Sequence, residues 1–306
     1  MLPLLALALA CAPHQAPTSA APPARVWEAP LGHEHPLLGR IWSPGAGEVV
    51  PEAEALARVA HAETLLLGEK HDNPDHHRLQ AELLAAQRPA SVVLEMLDLD
   101  QDVSAATTPA ELATTVGWEE SGWPEFAMYE PVFAQAYGLK ARVVPGNPPH
   151  DLLMAAMRGG LASLPPDDLA GMDLSATSTP SERERLEQDI VASHCGHAPA
   201  AMVNMMVQGQ ELKDRSLARA LEQALPPRAL IAGHGHTRRD GGVPVYLSSA
   251  PLVVHFQEVG DEALTPSEYD LAGADLVWFT ARVDDLDPCE RFQEELKAMG
   301  QHAPTP

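Results

Sequence analysis

Two short segments concentrate the chemistry of this chain. Gly68-Glu69-Lys70-His71 follows the apolar run Thr64-Leu65-Leu66-Leu67, and Gly233-His234-Gly235-His236 follows Ala229-Leu230-Ile231-Ala232. Glu95 ends a third run, Ser91-Val92-Val93-Leu94, and Asn147 closes a fourth that begins Ala141-Arg142-Val143-Val144. Carboxylates and imidazoles in this proportion suit two chemistries. Glu69, His71, Glu95 and His236 could form a mixed oxygen and nitrogen shell for a divalent transition metal such as zinc or manganese. Without metal, a carboxylate beside a histidine gives a general base near neutral pH, so the same four residues could activate water in a hydrolase. The glycines around His234 and His236 let the backbone turn tightly and bring imidazoles close to a ligand. His33, His61, His76 and His302 read instead as hydrogen-bonded structural residues.

Such residues act together only if the fold delivers them to one place. Continuous runs rich in Val, Leu and Ile suit strands buried on both faces, as in parallel sheets covered by helices. Val243-Pro244-Val245-Tyr246-Leu247 reads as a fifth such run, and helical patterns at Asp75–Gln87 and Pro124–Tyr137 lie between the runs. The class is therefore α/β, a largely parallel sheet flanked by helices with right-handed crossovers. Ligands of such sheets bind outside the carboxyl ends of the strands. That rule sends Glu69, His71, Glu95, Asn147, His234 and His236 towards one crevice.

Residues 151–225 break the alternation. Thr179-Pro180-Ser181-Glu182 has the form of a capping box with proline at the first helical position. A long helix follows over Ala198–Ala224, with Met202, Met205, Met206, Leu212 and Leu217 on its apolar face. This segment reads as a small helical subdomain inserted into a body formed by residues 41–150 and 226–290, with a tail over 291–306. Its methionines read as packing, or as a soft wall for a large flat apolar ligand. No glycine-rich phosphate loop of the Walker or dinucleotide type is present.

The net charge of −23 argues against nucleic acid as a partner, because that requires clustered Lys and Arg. Residues 89–139 carry nine acids and no base, and residues 258–306 carry twelve acids and three bases. Arg238 and Arg239, just past His236, stand as a basic pair against this background and could meet an anionic ligand. The first eleven residues, MLPLLALALAC, are too short an apolar run to span a bilayer and fit a secretory signal. Ala8-Leu9-Ala10-Cys11 resembles a bacterial lipobox with Cys11 as the lipidated residue, although no Lys or Arg precedes the run. Residues 12–40, rich in Pro and Ala at the start, read as an extended tether. The expected location is the bacterial cell envelope, lipid-anchored and facing the periplasm or the exterior. Cys195 and Cys289 remain as one disulfide or two independent thiols.

Several ordered motifs resemble the ChaN-like haem-binding lipoproteins of the TIKI and erythromycin-esterase-like superfamily. LLLGEKHDNPDHHRLQAELL, VVLEM, SGWPEFAMYEPVFAQA with VVPGN, HCGH, Gln210-Glu211-Leu212-Lys213-Asp214, ALIAGHGHTRRDGGVP and VWFTARVDDLDPCE occur in the family's order. The resemblance implies a large α/β part, a small helical part, and haem binding linked to iron acquisition. It also implies a tyrosine as iron ligand, for which Tyr129 is the candidate, and a haem site that two protomers can share as a homodimer. Asn147, His234, Arg238, Arg239, Met202 and Met206 are the accompanying candidates for the haem pocket. His234 stands where the family more often has asparagine, and His150 where it often has arginine. These departures add imidazoles beside the pocket.

Overall fold

The computed structural model describes residues 25–286 and Cys289. The signal segment, Cys11 and the tail at 291–306 lie outside the described residues. Eight strands form one sheet: β1 (Ile41–Ser43), β2 (Glu48–Val50), β3 (Thr64–Glu69), β4 (Ser91–Asp98), β5 (Arg142–Asn147), β6 (Arg228–Gly233), β7 (Leu252–Glu258) and β8 (Leu276–Thr280). Their order is β2-β1-β8-β7-β3-β6-β4-β5. The six from β8 to β5 run parallel, and the short β1–β2 hairpin closes one edge antiparallel.

The unbroken apolar character of β3 follows from its position. Leu65 and Leu67 enter the core with α2 (Pro74–Gln87) and α4 (Phe126–Gly138), whereas Leu66 points to the opposite core under α7 (Ala200–Gln223). Successive strand side chains alternate between faces, so a strand covered on both sides must be apolar throughout. Asn73 caps α2 by accepting from the Asp75 amide at 2.9 Å, and Pro74 takes the first turn, where its missing N–H costs nothing. On the other face, Ser216 of α7 donates to the Gly146 carbonyl at 2.8 Å and fixes that helix on β5.

The helical subdomain consists of α5 (His150–Gly159), α6 (Pro180–Ser193) and α7, and α7 belongs equally to the body it covers. The capping box at Thr179 and Glu182 is formed as expected. A disulfide joins Cys195, in the turn between α6 and α7, to Cys289 beyond β8, with Cα atoms 5.5 Å apart. The remaining helices are α1 (Glu52–Ala60), α3 (Pro109–Val116) and the single turn α8 (His234–Thr237).

Two expectations are corrected. Residues 25–40 are not tether. Ala29 is buried and its amide donates to Asp75 at 2.9 Å, Arg25 lies 5.0 Å over the Trp278 ring, and Leu31 bridges to Arg282. A proline-rich stretch packs here because Asp75 satisfies the backbone donors that it would otherwise leave to water. Val243–Tyr246 is a 3-10 turn rather than a strand, since Pro244 cannot donate to a ladder, and β7 takes the place beside β3.

Candidate functional site

The carboxyl ends of β3, β4 and β6 meet, and four of the six predicted residues form one chain of hydrogen bonds and ion contacts. Glu69, the last residue of β3, faces the α2–α4 side. Its Oε1 accepts from the Tyr129 hydroxyl at 2.7 Å and lies 2.8 Å from His71 Nδ1. Its Oε2 accepts from Gln80 at 2.5 Å and pairs with His77 Nδ1 at 3.2 Å. His71 Nε2 then faces Glu95 Oε2 at 3.8 Å. Glu95 also accepts the Gly233 amide at 2.9 Å, pairs with His236 Nε2 at 3.2 Å and meets Lys213 Nζ at 3.4 Å. The chain ends where His236 Nδ1 donates to Asp214 Oδ1 at 2.6 Å, with the Gln210 amide 2.9 Å from the same nitrogen.

Glycine at 233 is required by this crowding, because a Cβ there would sit 2.9 Å from His71 Nε2. His71 is the main window of the cluster, with a third of its side chain exposed and the Trp123 ring edge-on at 4.9 Å. Glu69, Glu95 and Asp214 are sealed from solvent.

The electrostatics follow from burial and pairing. Burial opposes ionisation of Glu69, but His77 and His71 outweigh it and hold the carboxyl well below the usual carboxylate range. Glu95 behaves likewise: desolvation pushes its pKa up, and His236, Lys213 and His71 pull it far down. Desolvation disfavours charge on His236, yet Glu95 and Asp214 raise its pKa to about 10. His71 is raised by Glu69 and Glu95 against the same burial penalty. Burial brings Asp214 up to about 6 despite His236. Near neutral pH the cluster therefore holds buried ion pairs in which His236 carries its proton between Glu95 and Asp214, while Glu69 and Glu95 favour the charged form of His71.

A pH dependence follows with a definite sign. The Glu95 contribution is complete above its unfolded value of 4.5 and is lost on acidification, and the His236 contribution is complete below 6.5 and is lost as pH rises towards 10. Both are fully present between those unfolded values. The wild-type advantage in unfolding free energy over His236→Asn should accordingly shrink steadily from pH 7 to pH 10. Urea titrations at intervals across that range measure it, and a constant difference would contradict the ion-pair assignment.

The other predicted residues are placed elsewhere. His234 lies on the opposite face, where a Cβ on Gly68 would come within 3.0 Å of its ring. It stacks near His255 at 4.8 Å and His76 at 6.4 Å, and burial lowers its pKa to about 4. The period of two along β3 separates this neutral histidine stack from Glu69. Asn147 donates to Asp98 at 2.8 Å and joins none of the four. Tyr129 is fully buried and its hydroxyl is committed to Glu69, so it is a positioning donor rather than an open phenolate. Burial and Glu69 drive its pKa far above the ordinary phenol value.

The arginine pair is not free for an anion. Arg238 is held by Asp240 at 2.8 Å and Asp270 at 3.2 Å, and Arg239 by Asp275 and the Pro251 carbonyl, at the amino ends of β7 and β8. The acidic C-terminal third, read as bulk charge, supplies these partners. Among the described residues no group of three or more His, Cys, Asp or Glu side chains is arranged to hold a metal ion. The lone pairs and N–H groups of Glu69, His71, Glu95 and His236 are turned on one another. Gln80, His77, Gln210, Lys213 and Asp214 were not anticipated as members of the cluster. Their signal was present in helical spacing, three residues apart in His77/Gln80 and at i, i+3 and i+4 in Gln210/Lys213/Asp214.

A second feature lies in the helical subdomain. Between α6 and the start of α7 runs an open groove of about 690 Å³, walled by Val191, Ala192, Ala198, Ala200 and Val203 with Glu184, Glu187 and Asn204 among its polar groups. Cys195 and Gly196 form its end. Neither Met202, which is exposed, nor the half-buried Met206 is among its lining residues.

Comparison with known proteins adds context to this geometry. A family model described as haem-binding uptake, Tiki superfamily, ChaN matches residues 55–247. A solved structure of ChaN of Campylobacter jejuni, described as showing cofacial haem binding, is 22% identical with a TM-score of 0.64, covering 78% of this chain and 95% of that one. The type III effector HopBA1 is 12% identical with a TM-score of 0.41, covering 74% of this chain and 92% of that one. No curated protein matches the sequence. The α/β body with its helical subdomain is thus the fold seen in the Campylobacter protein.

Proposed function

Because this chain belongs to the haem-binding uptake family of ChaN in the Tiki superfamily, we propose that it binds haem at the cell envelope in the service of haem or iron uptake. The family match over residues 55–247 carries the reading, since it spans both the strand-end cluster and the helical subdomain. The α6–α7 groove supports it. Its volume falls in the range of about 300–1,000 Å³ typical of small-molecule sites, and its walls are largely aliphatic, as a porphyrin face requires. Haem bound there would supply iron in a porphyrin as cargo.

The strand-end cluster supports a structural rather than a hydrolytic role. A general base needs a free lone pair near the operating pH. His236 is held charged between Glu95 and Asp214, and His71 Nδ1 is engaged by Glu69. The lipobox-like Ala8-Leu9-Ala10-Cys11 and the proline-rich residues after it favour a lipid-tethered body, and a shared haem site would make the working form a homodimer.

Titration of the full chain with hemin is expected to give a saturable, shifted Soret band, with size-exclusion of the loaded protein reporting whether two copies associate. The same chain followed in cell fractions is expected to sediment with membranes. Absence of any saturable spectral change would overturn the haem reading, and recovery in the soluble fraction would overturn the anchor.

A further inference from the structure

We propose that a cavity at the edge of the sheet binds a small monocarboxylate with a short apolar body, its carboxylate held by Arg142 and Arg219. The cavity, of about 460 Å³, lies between the edge strand β5, the second half of α7 and the turn of residues 167–170. Its size falls within the range of about 300–1,000 Å³ typical of small-molecule sites. Leu99, Val144, Pro145 and Ala220 supply its apolar lining. It shares no lining residue with the α6–α7 groove and none with the strand-end cluster, so the inference does not depend on the haem reading.

Two positive charges at this cavity have no counter-ion. Arg185, Arg238 and Arg239 are held by aspartates, whereas Arg142 and Arg219 form no ion pair among the described residues. Arg142 opens β5 and is exposed, and its guanidinium makes no hydrogen bond among those residues. Arg219 is anchored through one nitrogen. Its Nη1 donates to the Ala170 carbonyl at 3.0 Å and to the Asp168 carbonyl at 3.4 Å, which leaves Nε and Nη2 for a ligand. Its stem packs against Gly171, where a Cβ would lie 3.5 Å from Arg219 Cδ and 3.1 Å from Gln223 Nε2. The φ of 78° at that position also suits glycine. Burial opposes the Arg219 charge, and the more distant Asp168 offsets this only in part, so a bound anion would add to the compensation. A guanidinium presents paired N–H donors that match a carboxylate bidentately. Asp167 at the rim repels a second negative charge, which favours a monoanion over phosphate, and the aliphatic lining suits an alkyl body.

The test is calorimetric titration of the full chain with hexanoate, hexanol and inorganic phosphate, alongside the arginine side-chain N–H resonances. Hexanoate should bind saturably, more tightly than hexanol or phosphate, and should shift the resonances of Arg142 and Arg219. Arg142→Gln and Arg219→Gln should each weaken hexanoate binding by roughly tenfold, the effect of losing one charge-assisted hydrogen bond. Asp167→Asn should tighten it. Arg142 is exposed and bonds nothing in the fold, so Arg142→Gln reports on binding even if Arg219→Gln loosens the 167–170 turn. Absence of saturable hexanoate binding, or equal affinity in wild type and Arg142→Gln, overturns the site. Tighter binding of phosphate overturns the monocarboxylate assignment, and equal binding of hexanol overturns the role of the arginines. The hemin titration is read separately: hexanoate binding without hemin binding leaves this site standing while the haem reading fails.

Discussion

Glu95→Ala is expected to lower the unfolding free energy by about 3–5 kcal/mol, the range for removing one partner of a buried ion pair. The reason lies in what remains. His236 would keep a proton from Asp214 alone, Lys213 would lose its carboxylate, and the Gly233 amide would lose its acceptor, all in a space sealed from water. Burial would then push the His236 pKa back down from about 10, since Glu95 is the largest charge holding it there. Urea denaturation gives the stability change, and the His236 ring resonances followed with pH give the titration. Glu95→Gln, which can still accept the Gly233 amide, should lose less. A loss below about 1 kcal/mol in Glu95→Ala would place Glu95 among exposed, weakly coupled pairs and contradict the burial described above.

The second large effect is expected from the paired substitution Cys195→Ser/Cys289→Ser. The disulfide spans 94 residues of sequence, and closing a loop of that length restricts the unfolded chain by about 4–5 kcal/mol in the loop-entropy account, with measured losses of about 2–5. The effect should be concentrated in α6. None of its fourteen residues is buried. Besides the disulfide it is held by Arg183 to Glu211 and Asn204 and by Arg185 to Asp240 and Asp270, partly exposed pairs worth about 0–1 kcal/mol each. The variant should melt at lower temperature, and limited proteolysis should open the 160–200 segment first while the α/β body survives. Hemin affinity should fall with it, because α6 is one wall of the groove. An unchanged Tm with unchanged proteolytic resistance would show that the ion pairs alone secure the helix.

Much of the site was legible in the sequence because strand ends are marked locally. Apolar runs that stop at Gly68-Glu69, Leu94-Glu95 and Gly233-His234 announce buried strands and the polar residues that follow them. Glu69, His71, Glu95 and His236 were gathered correctly on that rule. The same rule also gathered His234 and Asn147, which the structure separates. Proximity at a strand end is a property of the chain, but the face a side chain takes depends on its register parity and on which helix covers it. Tyr129 illustrates the same limit. Its motif marked it as a candidate iron ligand, yet only packing shows that the hydroxyl is spent on Glu69.

Charge behaved similarly. The sequence shows that Arg238 and Arg239 are adjacent bases in an acidic protein, but Asp240, Asp270 and Asp275 neutralise them through contacts that composition does not contain. By itself the sequence determined the α/β class, the helical subdomain and four members of the ion-pair cluster, because strand burial and helix capping are short-range or periodic properties. Tertiary structure alone decided that those four pair with one another and that α7 contributes Lys213 and Asp214 to them. Pairing distances of 2.6–3.8 Å between residues up to 141 positions apart arise from how helices cross a sheet, and no local pattern encodes them.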